Sequence, residues 1–492
     1  MSNHKRHHLA AILPLEIWQL ILSYCNFWDY VRFRQTCKRA AKFPIVRLPD
    51  CCFFSTCSSN HFRRLDQNLV NKLTGLQYLK YNYAKNRLSS LNPLTNLTKL
   101  KVRCYAYKII EQNPIIFDKL TKLEFLHLIH HMTNVNDWTN FRKLTKLKVM
   151  GKSSFKGNQL NMLTNLLSLD LFANDDVLNV SGLILLTHIT APKNIQNEEI
   201  NMLTNLLELD LQSNQCSNVY DINALCKLTF LKPNHLLNSE SIINLTNLLE
   251  INMNENLFPL GNRPQLTKLA LWSSPFQPIS NVFISGLANL IKLKLHTCLP
   301  IEKIGHLTNL KKLGLFNSEI PDEELLFLTN LESLKMKSCK LTSIGHLTKI
   351  TSLQCQRFNG NFKNLTSLKE LVVDDFAISW NYYFPGLTKL VINRHFFQTH
   401  PHNLSCTSLV KLIIFDTGDC GSIDSFPNLT YLKNHMKPSS SFINQITNLS
   451  KLRILKGTFH HEALLKMTNL EKINITHNDN KIFEGKRHVM YI

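Results

Sequence analysis

One phrase, returning about every 21 residues, constrains this chain more than any other feature. It reads Leu-Thr-Asn-Leu or a near variant: Leu73-Thr74-Gly75-Leu76, Leu94-Thr95-Asn96-Leu97, Leu120-Thr121-Lys122-Leu123, Leu163-Thr164-Asn165-Leu166, Leu203-Thr204-Asn205-Leu206, and onward to Met467-Thr468-Asn469-Leu470. There are about twenty copies. A unit this short cannot bury an apolar face alone, so neighbouring copies must stack to make a common core. After each phrase comes an alternating stretch, clearest in Leu206-x-x-Leu209-x-Leu211-x-x-Asn214 and matched by Leu166, Leu169, Leu171 and Asn174. Residues two apart on a strand share a face, so Leu209 and Leu211 point inward while Glu208, Asp210 and Gln212 point outward. Each copy thus contributes one short parallel strand. The asparagine marks where the chain turns away, and its amide can bond backbone groups that a turn leaves unpaired.

The pattern resembles leucine-rich repeats, and the short period resembles their internalin-like branch. The resemblance implies an α/β solenoid over residues 73–480: a curved parallel β-sheet whose convex side carries short segments. With about 21 residues per copy, little chain remains after the strand and two turns, so single tight turns are expected there rather than full helices. Asn256 and Asn478 also fit the turn position. Cys298 and Cys339 share its register, Ser274 and Ser318 are small substitutes, and Phe358 and Phe376 depart from it. Longer intervals, Leu94 to Leu120 and Leu203 to Leu228, predict bulging loops. Residues 49–72 read as a connector or N-terminal cap, and 481–492 as a C-terminal tail or cap.

Ahead of the repeats, Ile17, Leu20, Ile21 and Tyr24 fall at helical spacing, with Pro14 placed to start the helix. A second helix is predicted from about Asp29, a fair N-cap, to Lys42. So much apolar surface on short helices requires a covering partner, the first repeat or both. Residues 11–43 resemble the F-box through Leu13-Pro14, Glu16-Ile17, Ile21-Leu22, Tyr24, Asp29, Val31, Phe33 and Thr36-Cys37-Lys38. Cys25 stands where the family often has Leu, and Ala40 where it often has Trp, two departures that bear on adaptor affinity. The resemblance implies a small α-helical domain at residues 1–48 that docks on the adaptor of an SCF-type ubiquitin ligase, itself joined to a cullin and a RING protein. Adaptor binding would then fall to Leu13, Pro14, Ile17, Ile21 and Leu22. Chains of this composition also resemble virus-encoded F-box proteins. The plainer alternative makes the segment a cap on the open edge of the solenoid.

Composition narrows the function. The chain is 44% hydrophobic and 18% charged, enough to fold around a large core. Fifteen glycines and seventeen prolines leave few places for phosphate-cradling loops. Gly151-Lys152-Ser153 mimics such a loop, but Lys146 stands where its first glycine belongs. His461-Glu462 lacks the second histidine of a zinc-protease helix, and neither Cys51, Cys52 and Cys57 nor His395, His400 and His402 have ligand spacing. Thirteen cysteines without a Cys-x-x-Cys pair point to a reducing compartment, the cytoplasm or the nucleus. No apolar run reaches the roughly 18 residues of a membrane span. The expectation is a protein that binds partners, with no catalytic residue, metal or cofactor and no membrane contact.

The net charge of +21 calls for an acidic partner. Outward strand positions locate it. Asp170, Glu208, Asp210 and Glu250 are acidic, and then the sign changes: Lys268 and Trp272, then Lys292, Lys294 and His296, then Lys312 and Phe316, then Lys335 and Lys337. Strands about 4.8 Å apart would join these into one basic stripe on the concave face with two aromatic anchors, suited to an acidic target protein. Together with the F-box resemblance this predicts a substrate-recognition subunit of an SCF-type ligase. A repeat scaffold or inhibitor without a ubiquitin role is the alternative. A nucleic-acid binder is a third reading, supported by charge but by no recognised motif.

Overall fold

The computed structural model describes residues 67–475 and 490–491, apart from 84–87, 105–115, 130–137, 152–156, 173–178, 213–215, 217, 255–257, 273–283, 297–302, 318–319, 338–339, 342–343, 359–363, 376–383, 395–405, 416–425, 436–445, 447 and 458–468. The F-box-like segment with Leu13, Pro14, Ile17, Ile21 and Leu22 lies outside the described residues, as do Cys51, Cys52 and Cys57, His395, His400 and His402, and the turn positions Asn174, Asn214, Asn256 and Asn478. The chain divides into two compact units, Met1–Leu248 and Leu249–Ile492.

In the first unit a six-residue helix, α1 (Gln67–Lys72), precedes eight strands: β1 (Tyr78–Tyr83), β2 (Lys99–Cys104), β3 (Phe125–Ile129), β4 (Lys146–Met150), β5 (Ser168–Asp170), β6 (His188–Thr190), β7 (Glu208–Asp210) and β8 (Phe230–Lys232). Each pairs in parallel with the next, from β1–β2 to β7–β8. Gln67 ties α1 to the following repeat, accepting from Ser90 N at 3.1 Å and donating to Ser90 O at 3.0 Å. Between β6 and β7 stands a five-residue helix, α2 (Asn197–Asn201), begun by a capping box in which Glu199 accepts from the Gln196 N–H.

The second unit repeats the plan with β9 (Glu250–Asn254), β10 (Lys268–Trp272), β11 (Lys292–His296), β12 (Lys312–Phe316), β13 (Ser333–Lys337), a two-residue β14 (Lys340–Leu341), β15 (Ser352–Phe358), β16 (Glu370–Asp375), β17 (Lys389–Arg394), β18 (Lys411–Ile414), β19 (Tyr431–Asn434), β20 (Ile454–Gly457), β21 (Lys472–Ile475) and β22 (Met490–Tyr491). Parallel pairing runs from β9 through β13 to β15 and on to β22, with β14 alongside the end of β15. The pair β21–β22 places a last strand in the segment read from sequence as a tail. A third short helix, α3 (Asp322–Leu326), is acidic throughout its first turn, where carboxylates favour the exposed N–H groups. Between strands the described chain holds only these one-turn helices and brief 3-10 segments, as a period of about 21 residues requires.

The repeating phrase now has a physical account. Its two leucines are buried in copy after copy, among them Leu203 and Leu206, Leu307 and Leu310, and Leu328 and Leu331, each 0% exposed. Its asparagine reaches back one repeat: Asn96 Nδ2 donates to Thr74 O (2.9 Å), Asn165 to Arg142 O (2.8 Å), Asn205 to Ile184 O (2.9 Å), Asn247 to Cys226 O (2.8 Å) and Asn330 to Thr308 O (2.9 Å). The threonine that often precedes the strand does likewise, with Thr187 Oγ1 donating to Leu167 O (2.9 Å) and Thr229 Oγ1 to Leu207 O (3.0 Å). The asparagine rungs satisfy turn carbonyls, while the threonine hydroxyls add a further donor to carbonyls that already accept backbone N–H groups, as Leu167 O does from Thr187 and His188. Sequence reasoning assigned that role to the asparagine at the strand exit and missed the one in the phrase. Asn205 also accepts from Lys227 Nζ at 2.7 Å. Asn205→Ala should therefore lower stability by roughly 0.5–1.5 kcal/mol in urea unfolding, against a Thr204→Ala control. Equal midpoints for the two would show that the rung carries no net energy.

Candidate functional site

Outward strand residues of the second unit form three rows across β10–β13. The first is Lys268, Lys292, Lys312 and Ser333; the second Ala270, Lys294, Gly314 and Lys335; the third Trp272, His296, Phe316 and Lys337. Alternation sets their side of the sheet: Leu269, Leu271, Leu293, Leu295, Leu313, Leu315, Leu334 and Met336 take the inward positions and are buried, while the small Ala270 and Gly314 of the second row are covered by their outward neighbours. All nine residues singled out from the sequence meet on this one face. Lys268, Trp272, Lys294, Lys312, Lys335 and Lys337 are exposed, while Lys292, His296 and Phe316 are half-buried.

The two aromatic side chains are not separate anchors. Trp272 and His296 stack at 3.5 Å between ring centroids with an 11° interplanar angle, and His296 stacks on Phe316 at 3.9 Å and 8°. These spacings are shorter than the roughly 4.8 Å between strands, so the rings lean together. Lys337 Nζ closes the row 5.8 Å from the centre of the Phe316 ring. The sequence placed His296 on the face but not between two rings. Partial burial, together with the charges of Lys294 and Lys337, holds its imidazole below the usual histidine range. Burial first, then the surrounding lysines led by Lys294, also push the Lys292 ammonium down, with Glu250 opposing them. Because the inner ring faces are taken up by one another, no nucleobase can stack between these rings.

Part of the outward charge is balanced across neighbouring strands. The acidic outward positions are tied to basic neighbours in register: Asp170 to Lys148 (2.5 Å), Glu208 to His188 (3.4 Å), Asp210 to Lys232 (2.7 Å) and Glu250 to Lys268 (3.3 Å). Asp210 is buried as well. Sequence reasoning overlooked these pairs because each partner lies one repeat away in the chain. Glu370 and Lys389 pair in the same manner. Among the described residues no carboxylate forms an ion pair with Lys294, Lys312 or Lys335. Their charge is uncompensated within the described part of the molecule.

Among the described residues no three His, Cys, Asp or Glu side chains gather as a metal site, and no helix is long and apolar enough to cross a membrane. Comparison with known proteins adds the following. Residues 11–43 match the F-box domain family. Solved structures similar to the chain include the functional domain of InlJ from Listeria monocytogenes (16% identity, 68% of this chain and 69% of that one, TM-score 0.32). A leucine-rich-repeat protein of Leptospira interrogans is similar at 17% identity over 84% of this chain and 89% of that one, with a TM-score of 0.25. Internalin InlF of Listeria monocytogenes is similar at 17% identity over 83% and 89%, with a TM-score of 0.23. Comparison with curated protein sequences finds no match. The chain carries an F-box domain at residues 11–43 ahead of leucine-rich repeats that build a parallel β-solenoid.

Proposed function

We propose that this protein is the substrate-recognition subunit of an SCF-type ubiquitin ligase, acting in the cytoplasm or nucleus. The F-box domain docks on the adaptor and through it on a cullin and a RING protein, while the repeats hold a target protein. The observation that carries this reading is the F-box match at residues 11–43, joined in one chain to repeats that expose an uncompensated basic face. The protein needs no catalytic group of its own. It raises the effective concentration of a target beside a charged ubiquitin-conjugating enzyme, a contribution of proximity alone.

Leu13 and Pro14 open the F-box pattern and supply an apolar anchor for the adaptor. In the full chain, Leu13→Ala combined with Pro14→Ala should abolish co-precipitation of purified adaptor while leaving the circular dichroism and melting of the repeats unchanged. Adaptor recovered at the wild-type level would refute the ligase reading and leave a repeat scaffold that binds its partners without a ubiquitin role.

A further inference from the structure

We propose that the outward face of β10–β13 captures an extended, carboxylate-rich segment of a partner protein, with Lys294, Lys312 and Lys335 pairing its acidic side chains beside the edges of the Trp272–His296–Phe316 ladder. The inference rests on the reading of the repeats as the partner-binding part of the chain, but not on the adaptor.

Several observations select this occupant. Lys148, Lys232 and Lys268 are matched by carboxylates in register, whereas Lys294, Lys312 and Lys335 have no such match among the described residues and stand on three consecutive strands beside the ring ladder. The inner ring faces already cover each other at 3.5 and 3.9 Å, which leaves no room for a flat insert between them. Aromatic edges carry the positive part of the ring quadrupole, so what remains exposed favours an anion. The cations here are all lysines. They act as point charges suited to a run of single carboxylates, whereas planar, two-toothed phosphate recognition favours arginine. Four strands about 4.8 Å apart span roughly 14 Å, the reach of four or five extended residues.

Gly314 lies directly beneath the arrangement. It occupies the centre of the second row, between Lys294 and Lys335, and a Cβ there would stand 3.4 Å from Phe316 Cε2 and 3.5 Å from Lys294 Cγ, ordinary contact distances. A methyl group fits, but the further carbons of a branched side chain would press on the Phe316 ring. Glycine inside a strand weakens the strand, and its use often marks a place where something approaches closely. Gly314→Val should push Phe316 out of the stack without changing any charge.

The test is fluorescence anisotropy of the full chain with a labelled eight-residue peptide alternating Glu and Ser. The probes for comparison are its Gln analogue and a Gln analogue carrying one phosphoserine. The Glu peptide should bind at least about tenfold more tightly than either comparison peptide. Lys294→Gln with Lys335→Gln, and separately Gly314→Val, should each weaken it about tenfold or more. Lys99→Gln with Lys146→Gln, which removes the same charge from the first unit, should change it less than about twofold. If Gly314→Val melts early, Phe316→Leu, which removes the end ring of the ladder without changing any charge, takes its place, with a severalfold loss expected. The proposal is overturned if the wild-type chain does not bind the Glu peptide, if the Lys99/Lys146 control weakens binding as much, if the folded Gly314→Val or Phe316→Leu variant binds like wild type, or if the phosphoserine peptide binds as well as the Glu peptide. Adaptor capture is measured separately, so loss of one activity with the other intact identifies which reading has failed.

Discussion

Leu313→Ala should cost roughly 2 to 5 kcal/mol of stability, the range found for deleting a buried leucine and leaving part of a cavity behind. Leu313 lies at the second position of β12, only 2% exposed, in register with Leu293 on one side and Leu334 on the other. Those neighbours are held by their own backbone ladders and cannot close over the gap without distorting two further repeats. Lys312, one residue earlier, is exposed, and Lys312→Ala should stay within about 0.5 kcal/mol of wild type. Urea unfolding of the two variants decides the matter. Indistinguishable midpoints would mean that the inward and outward faces of β12 have been exchanged.

A second large effect is expected from pH, through His127 in the first unit. It takes an outward position on β3 between Lys101 and Lys148, yet is only 7% exposed and packs edge-on against Phe125, ring centroids 6.3 Å apart. Its Nε2 is buried without a hydrogen-bond partner. Burial, then the charges of Lys101 and Lys148, push its pKa down from 6.5 to about 4, with Arg103 adding to the shift and Asp170 opposing it. Above about pH 6.5 the imidazole is neutral in both folded and unfolded chain and contributes nothing. Between about 6.5 and 4 the unfolded chain binds a proton that the folded chain refuses, so stability falls as pH falls. The loss should reach about 2 kcal/mol by pH 5 and about 3 kcal/mol below pH 4. Comparing urea unfolding at pH 7 and pH 5 for wild type and His127→Leu isolates this group, because every other titration is shared. The variant should lose less stability than wild type across that interval; equal losses would show that His127 titrates normally in the fold.

What could be read from the sequence followed from what is periodic. Leucine rows at positions such as 209, 293 and 313 declare themselves because a side chain in the core has one acceptable chemistry, repeated in every copy. The outward lysines at 294, 312 and 335 were legible for the same reason, since strand alternation fixes their side of the sheet. What stayed hidden is contact across repeats. Trp272, His296 and Phe316 are 24 and then 20 residues apart in sequence, and no local pattern says that their rings lean together. The pairing of Asp170 with Lys148 and Asp210 with Lys232 escaped for the same reason. The burial of His127 depends on what its neighbours on β2 and β4 do, which hydrophobicity along β3 does not reveal.

The asparagine and threonine rungs have a bearing on how such a chain can change over generations. Each rung reaches back one period, from Asn205 to Ile184 or from Thr229 to Leu207, and the same bond recurs from copy to copy in either unit. Duplicating or deleting one whole period regenerates every rung at the junction, whereas an insertion of half a period leaves donors facing the wrong carbonyls. Gene lengthening by complete periods is therefore structurally cheap. It adds or removes one strip of outward residues at a time, so the recognition face can grow, shrink or shuffle its charges while the scaffold beneath it keeps the same joints.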